Sequence, residues 1–133
     1  MKDLWVKDLM TTEVTTCSKS TSLNEVVAAL HSAQFSCLII IEDKKPIGII
    51  TERDMVTILA DMLKDVSWDN LAVENFMTPD PITITEDITL FEAVDIIRFE
   101  NIRHVPVVNS ADQLIGVLTQ TDMINGYHKS SLE

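Results

Sequence analysis

The stretch "GIITERD" at residues 48–54 returns as "GVLTQTD" at residues 116–122, with glycine, threonine and aspartate in the same places. In both copies an apolar run leads into the threonine, and the aspartate follows three residues later. A threonine and an acidic side chain at this spacing are typical of the start of an α-helix. The glycine in front allows either the hairpin to close or another group to approach its backbone. Each of the two stretches therefore predicts a strand followed directly by a helix with a capped N-terminus.

The repetition extends over most of the chain. "VKDLMTTEVTT" at 6–16 matches "VENFMTPDPIT" at 73–83, and "STSLNEVVAAL" at 20–30 matches "DITLFEAVDII" at 87–97, both 67 positions later. The offset becomes 68 only after a polar turn between two short apolar runs. Because the register survives across successive segments, we interpret the chain as a duplicated unit. The first unit covers 6–62, a connector covers 63–72, and the second unit covers 73–127. The connector has neither glycine nor proline, so we expect it to be ordered.

Each copy predicts the same order of elements. Ser22 and Thr89 open two further capping boxes, and an apolar stripe at helical spacing follows each of them. Two β-branched runs across a polar turn then predict a hairpin, and a second helix begins near the aspartate. The prediction is a mixed α+β fold of two β-α-β-β-α units, with the first short strands around 14–16 and 82–83. Since a unit of about 60 residues is marginal alone, we expect the two units to pack sheet to sheet with pseudo-twofold symmetry.

The composition excludes several classes of function. The chain has 133 residues, and 21 acidic against 10 basic side chains give a formal net charge of −11. Such a surface repels nucleic acid and anionic membranes, which bind clustered Lys and Arg. No apolar run is long enough to span a bilayer, no secretory signal opens the sequence, and two cysteines do not suggest a disulfide framework. We therefore expect a cytoplasmic protein, in which any anion site must carry its own local basic groups.

The sequence offers little for catalysis. The three histidines lack metal-ligand spacing, and the two cysteines do not form a C-x-x-C pair. Acidic residues are abundant, but no pair of them can be assigned to acid–base chemistry from spacing alone. We therefore expect no catalytic residues, no metal and no required cofactor, and we expect that the protein is not an enzyme.

The Thr-x-x-Asp frame allows two interpretations. Threonine and aspartate can simply cap the helix, a contribution of about 1 kcal/mol. Alternatively, the aspartate can accept hydrogen bonds from the two hydroxyls of a ribose, while the first amides of the helix face phosphate or sugar oxygens. A phosphate needs a cation, and the second copy has Arg103 and His104 before its "VPVV" run. The first copy has Ser36 and Cys37 there, which leaves Arg53 as its obvious basic candidate.

The motifs together resemble a known family. "VKDLMT", "SLNEVVAAL" and "GIITERDM" in the first copy, with "VENFMTPDPITI", "IRHVPVV" and "GVLTQTDM" in the second, resemble a tandem pair of cystathionine β-synthase-type (CBS) domains, a Bateman module. The resemblance runs from about Val6 to Gly126, and the short ends leave no room for an effector domain, so we expect a stand-alone pair.

The resemblance implies a regulatory module that binds an adenosine ligand in clefts between the two units and modulates a partner. The implied ligands are AMP, ADP, ATP and S-adenosylmethionine, and such modules are commonly homodimers. The regulated target is not indicated. The candidate site residues are Asp122, Thr119, Asp54 and Thr51 for ribose, Arg103, His104 and Arg53 for phosphate, and Thr16, Ile82, Thr83, Val105 and Pro106 for the base pocket.

The two copies are not equivalent in charge. Because the first copy lacks the basic pair, we predict that the site of Asp122 is the better one for a charged nucleotide. The alternative function is a dimerisation or docking module that senses nothing, in which the Thr-x-x-Asp frames only cap helices.

Overall fold

The computed structural model describes residues 4–33, 37–64, 71–100 and 102–132. These residues fall into two compact units. The first unit runs from Thr15 to Pro81, and the second unit combines the chain up to Val14 with the chain from Ile82 onward. In chain order the helices and strands are α1 (Val6–Leu9), β1 (Thr16–Cys17), α2 (Leu23–Ala33), β2 (Cys37–Glu42), β3 (Lys45–Thr51), α3 (Glu52–Met62), β4 (Thr78–Pro79), β5 (Ile84–Thr85), α4 (Leu90–Glu100), β6 (His104–Val108), β7 (Leu114–Thr119) and α5 (Gln120–Ser131).

The first unit is built on a four-stranded sheet with the order β1-β2-β3-β4. Strand β1 is parallel to β2, and the other neighbours are antiparallel. Asp43 and Lys44 connect β2 to β3 with φ values of 52° and 65°, as a two-residue hairpin turn with positive φ requires. Buried side chains of the sheet pack against the apolar sides of α2 and α3 in one core. The sheet contributes Leu38, Ile40 and Ile50, α2 contributes Leu23 and Val26, and α3 contributes Met55 and Ile58.

The second unit has the same plan. Its three-stranded sheet has the order β5-β6-β7, with β5 parallel to β6 and β6 antiparallel to β7. Thr11 forms an isolated antiparallel bridge with Val117 of β7, in the place that β4 takes in the first unit. The core of this unit collects Val6, Ile84, Ala93, Ile97, Val105, Val107 and Leu118.

The predicted mixed α+β fold, with the order β-α-β-β-α in each copy, is confirmed. The first short strand of each copy lies later than predicted: it begins at Thr16 rather than 14, and at Ile84 rather than 82. Pairing decides this position, since Thr16 aligns with Ile39 and Ile84 aligns with Val107. Strand propensity alone does not show where the partner strand begins. Residues 65–70 of the predicted connector lie outside the described residues.

Each repeat begins with a leading segment, residues 6–14 in the first and 73–81 in the second, that belongs to the compact unit of the other repeat. In the first unit the amide of Val73 donates to the Thr21 carbonyl at 2.8 Å. In the second unit the amide of Val6 donates to the Ile88 carbonyl at 3.0 Å, and Thr11 exchanges two bonds of 2.9 Å with Val117. A compact unit therefore contains sequence from both repeats.

The glycines of the repeated stretch lie where the leading segments pair with β3 and β7. A Cβ atom added to Gly48 would overlap the side chain of Met77. A Cβ added to Gly116 would lie 2.9 Å from both the Met10 Sδ and the Thr11 carbonyl oxygen. Of the two sequence interpretations, close approach of another group to the glycine backbone is the one observed: the Met77 side chain at Gly48, and the Met10 side chain and Thr11 carbonyl at Gly116. No helix in the described ranges has the length and apolar character needed to cross a bilayer.

Candidate functional site

In the second unit, the repeated stretch forms the junction between β7 and α5. Thr119 is the N-cap of α5 with extended φ and ψ of −106° and 163°. Its hydroxyl accepts a bond from the Asp122 amide at 3.0 Å, and the Asp122 carboxylate (Oδ2) accepts one from the Thr119 amide at 3.0 Å. The frame is thus a complete capping box, in which both side chains accept hydrogen bonds from backbone amides that have no partner within the helix.

In the first unit, Thr51 and Asp54 make the same junction between β3 and α3. The Thr51 amide donates to Asp54 Oδ2 at 2.9 Å, and the Asp54 amide donates to the Thr51 hydroxyl at 3.3 Å. The Thr51 hydroxyl also donates to the same carboxylate oxygen at 3.2 Å. The capping role is therefore present in both copies. Both aspartates are half-buried rather than enclosed in the core.

A second threonine contacts the carboxylate in the second unit. The Thr11 hydroxyl donates to Asp122 Oδ1 and Oδ2, both at 3.1 Å. Thr11 was not among the residues predicted from the sequence. The available signal was the Met-Thr pair that both leading segments share, at 10–11 and 77–78. Only the exchange of leading segments brings Thr11 to Asp122, since the two residues are 111 positions apart in sequence.

The two predicted phosphate contacts of the second unit lie at the same helix start. His104 is the register partner of Thr119 across β6 and β7. The carbonyl of Arg103 accepts a bond of 3.0 Å from the amide of Gln120, the first residue of α5, and the Arg103 side chain is exposed. The backbone thus places Arg103 and His104 next to the first residues of α5, at the positive end of the helix dipole.

The corresponding position in the first unit is uncharged. Cys37 is the register partner of Thr51, and burial raises the pKa of its thiol to about 11. The thiol is therefore neutral at physiological pH. Arg53 is exposed on the first turn of α3, next to Asp54 in sequence, whereas Ser36 lies outside the described residues. The difference in charge between the copies is thus present at the helix starts themselves.

The candidate base-pocket residues differ in exposure. Thr16 in β1 and Thr83 just before β5 are exposed, and Ile82 is half-buried. Val105 and Pro106 in β6 are buried, and Val105 belongs to the core cluster of the second unit. The two threonines therefore have solvent-accessible side chains, whereas Val105 is anchored in the core.

No thiol is activated as a nucleophile, since burial also raises the pKa of Cys17, against the opposing effect of a hydrogen bond with Thr21. In the part of the chain that the structure describes, no three or more His, Cys, Asp or Glu side chains are grouped to hold a metal ion.

Known proteins share this architecture. An uncharacterized protein of Methanopyrus kandleri is 30% identical over 125 residues, which are 93% of this chain and 63% of the relative. The CBS domain pair of protein MJ0100, solved with 5′-methylthioadenosine and S-adenosyl-L-methionine, superposes with a TM-score of 0.84 at 25% identity and covers 97% of this chain and 99% of its own. A CBS domain protein of Pyrobaculum aerophilum, solved with AMP, has a TM-score of 0.79 at 23% identity and coverages of 90% and 89%.

The sequence profile of the CBS domain matches this chain twice, at residues 6–61 and 73–129. The two matches fall on the two repeats, and both contain the Thr-x-x-Asp junction described above. The chain therefore belongs to the CBS domain family, as a tandem pair of CBS domains.

Proposed function

We propose that the protein is a regulatory module that binds an adenosine ligand, with Asp122 and Asp54 as the ribose acceptors at the starts of α5 and α3. The observation that carries this proposal is the repetition of a half-buried carboxylate at a strand-to-helix junction in a CBS pair. A carboxylate accepts two hydrogen bonds from a vicinal diol without losing its bond to the helix amide, because its two oxygens offer about four acceptor positions.

The proposed contacts to phosphate lie in the second unit. Arg103 and His104 lie at the start of α5, in a chain whose net charge of −11 otherwise disfavours anions. In the first unit the neutral Cys37 occupies the position of His104. We therefore propose that the Asp122 site takes a nucleotide with phosphate, and that the Asp54 site takes it more weakly.

The relatives support the ligand class. The CBS pair of protein MJ0100 holds 5′-methylthioadenosine and S-adenosyl-L-methionine, and the P. aerophilum protein holds AMP. All three molecules contain adenosine. What distinguishes them is the group on the 5′ carbon, which is the part that Arg103 and His104 would select in this chain.

Titration of the purified protein with AMP, ADP, ATP and S-adenosylmethionine tests the proposal. We expect saturable heat of binding for at least one of them, and no binding of ribose 5-phosphate, which lacks the base. At 100 times its dissociation constant the ligand should raise the free energy of unfolding by about 2.7 kcal/mol. Absence of both heat and thermal shift across the panel would contradict the proposal.

A second candidate, a dimerisation or docking module, is supported by two observations. Both capping boxes are complete without a ligand. In addition, α4 exposes large apolar side chains, with Phe91 at 81% and Phe99 at 75% accessible. If the protein is only a dimerisation or docking module, the titration should show no heat of nucleotide binding, whereas self-association should persist. The two candidates differ in ligand binding and not in assembly, because a sensor module can also be a homodimer.

We propose that the protein is a homodimer formed through the exposed side of α4. Replacing Phe91 and Phe99 together by aspartate should then shift the sedimenting species from dimer to monomer, because charge at an apolar interface is not compensated. Leu63→Asp is the matched control, since Leu63 is equally exposed but lies after α3 in the first unit. A wild-type protein that sediments as a monomer would contradict the homodimer.

The remaining parts of the function are also proposals. A bound ligand would modulate a partner only if it favours one of two states of the module over the other. We assign the module no reaction and no required cofactor of its own. A cytoplasmic location is supported by the two cysteines, Cys17 and Cys37, which are both free.

A further inference from the structure

The Thr11 hydroxyl contacts the Asp122 carboxylate, which is the proposed acceptor for the ribose hydroxyls. Its hydroxyl has one proton and lies 3.1 Å from both Asp122 oxygens, so the proton is shared between two acceptors. Hydrogen bonds between a hydroxyl and a carboxylate oxygen are commonly 2.5–2.7 Å long. The contact is therefore a long and divided one, which a better donor can displace.

The backbone holds Thr11 in place without help from this contact. The Thr11 amide donates to the Val117 carbonyl at 2.9 Å, and the Val117 amide donates back to the Thr11 carbonyl at 2.9 Å. Because both bonds belong to the main chain, a substitution that removes only the hydroxyl leaves the bridge to β7 intact. The hydroxyl can thus be tested separately from the leading segment that carries it.

The first unit lacks this contact. Thr78 corresponds to Thr11 both in the repeat and in the sheet, where it pairs with Ile49 as Thr11 pairs with Val117. The Thr78 side chain is exposed, and among the described residues the Asp54 carboxylate accepts bonds only from Thr51. The same threonine is therefore engaged with the carboxylate in one unit and not in the other.

The Asp122 carboxylate cannot accept the Thr11 hydroxyl and both hydroxyls of a diol on the same two oxygens. Asp122 Oδ2 already accepts the Thr119 amide, and Thr11 then covers Oδ1 and the remaining side of Oδ2. A ribose brings two hydroxyl protons, one for each carboxylate oxygen. Since both cannot approach while Thr11 points at the carboxylate, binding of the diol requires the Thr11 hydroxyl to rotate away and lose its acceptor.

We propose that Thr11 is a positioning residue whose hydroxyl competes with the ribose for Asp122 and thereby sets the affinity of that site. The inference rests on the proposed function. It adds a second difference between the two sites. The Asp122 site has the basic groups but must release Thr11, which contacts both carboxylate oxygens. The hydroxyl that contacts Asp54 belongs to Thr51 of the same capping box and reaches Oδ2 alone. A nucleotide at the Asp122 site thus binds more weakly than its charge contacts alone would allow.

The test compares AMP binding by the wild-type chain and by Thr11→Val, which keeps the branched shape and removes the hydroxyl. We expect Thr11→Val to bind AMP about fivefold more tightly, the size of effect expected for loss of one divided bond to a charged acceptor. Thr11→Ser, which restores a hydroxyl, should return to within about twofold of the wild type. Thr78→Val is the matched control in the other unit and should leave the affinity unchanged.

A ligand without the diol separates competition from a structural effect. 2′,3′-Dideoxy-AMP does not need the carboxylate, so Thr11→Val should not raise its affinity. The difference between the affinity changes of AMP and of the dideoxy ligand measures the coupling between the Thr11 hydroxyl and the ribose diol. If Thr11→Val destabilises the protein in thermal unfolding, Thr11→Ala must reproduce the same gain for AMP. Equal or weaker AMP binding by the hydroxyl-free variants, or an equal gain for both ligands, would overturn the inference. Failure of wild type and all variants to bind AMP would instead overturn the proposed function, and this inference with it.

Discussion

Replacing Asp122 by alanine is expected to weaken AMP binding about 100-fold, the largest effect that we predict for any single side chain. Two ribose hydroxyls lose a charged acceptor, and each such bond contributes about 1.5 kcal/mol or more. Asp54→Ala should change AMP affinity much less, because the neutral Cys37 stands where the second unit has His104. Isothermal titration of the two variants beside the wild type measures both effects.

The loss of a helix cap must be separated from the loss of a ligand contact. Glu92→Ala is the matched control, because Glu92 forms the corresponding capping box with Thr89 at the start of α4 in the same unit. Both variants should lower the free energy of unfolding by about 1 kcal/mol, but only Asp122→Ala should lose AMP. The assignment of the two sites would be reversed if Asp54→Ala abolished binding while Arg103→Ala combined with His104→Ala left it unchanged.

Gly116→Ala is expected to cost about 2–4 kcal/mol of stability. The added Cβ would lie 2.9 Å from the carbonyl oxygen of Thr11, a main-chain atom that the bridge to Val117 holds in place. To relieve the overlap the leading segment must move away from β7, which strains two backbone hydrogen bonds and disturbs the packing of Met10. The expected decrease in melting temperature is on the order of 10 °C, measurable by circular dichroism or calorimetry.

Gly126→Ala is the matched control for this prediction. Gly126 lies inside α5, and the three atoms nearest to a Cβ there would be side-chain atoms of Leu9, the closest at 2.6 Å. The end of a leucine side chain can move, and alanine in a helix interior gains about 1 kcal/mol over glycine. The two terms oppose each other, so the net change should stay within about 1 kcal/mol. A Gly116→Ala protein as stable as Gly126→Ala would contradict the assigned role of Gly116.

The order of helices and strands could be predicted because every local signal agreed with it. Capping boxes at Thr51 and Thr119 mark where strands end and helices begin, and the structure has both. The apolar stripes behind Leu23 and Leu90 become the buried sides of α2 and α4. Local hydrogen bonding and periodicity decide these features, and both can be seen in a single sequence.

Contacts between distant segments could not be predicted in the same way. A repeat shows which residues correspond, but it does not show onto which copy a leading segment packs, because residues 6–14 have the same pattern as 73–81. The contact between Thr11 and Asp122 follows from that packing. The charge asymmetry, in contrast, was visible in sequence, since His104 and Cys37 occupy the same position of the two copies.

A crystal structure of the protein with AMP tests the central claim most directly. The claim predicts AMP at the start of α5, with both ribose hydroxyls within about 3 Å of the Asp122 carboxylate, the phosphate near Arg103 and His104, and the Thr11 hydroxyl turned away. AMP found away from Asp122, or ribose hydroxyls bound elsewhere while Thr11 still donates to the carboxylate, would contradict it.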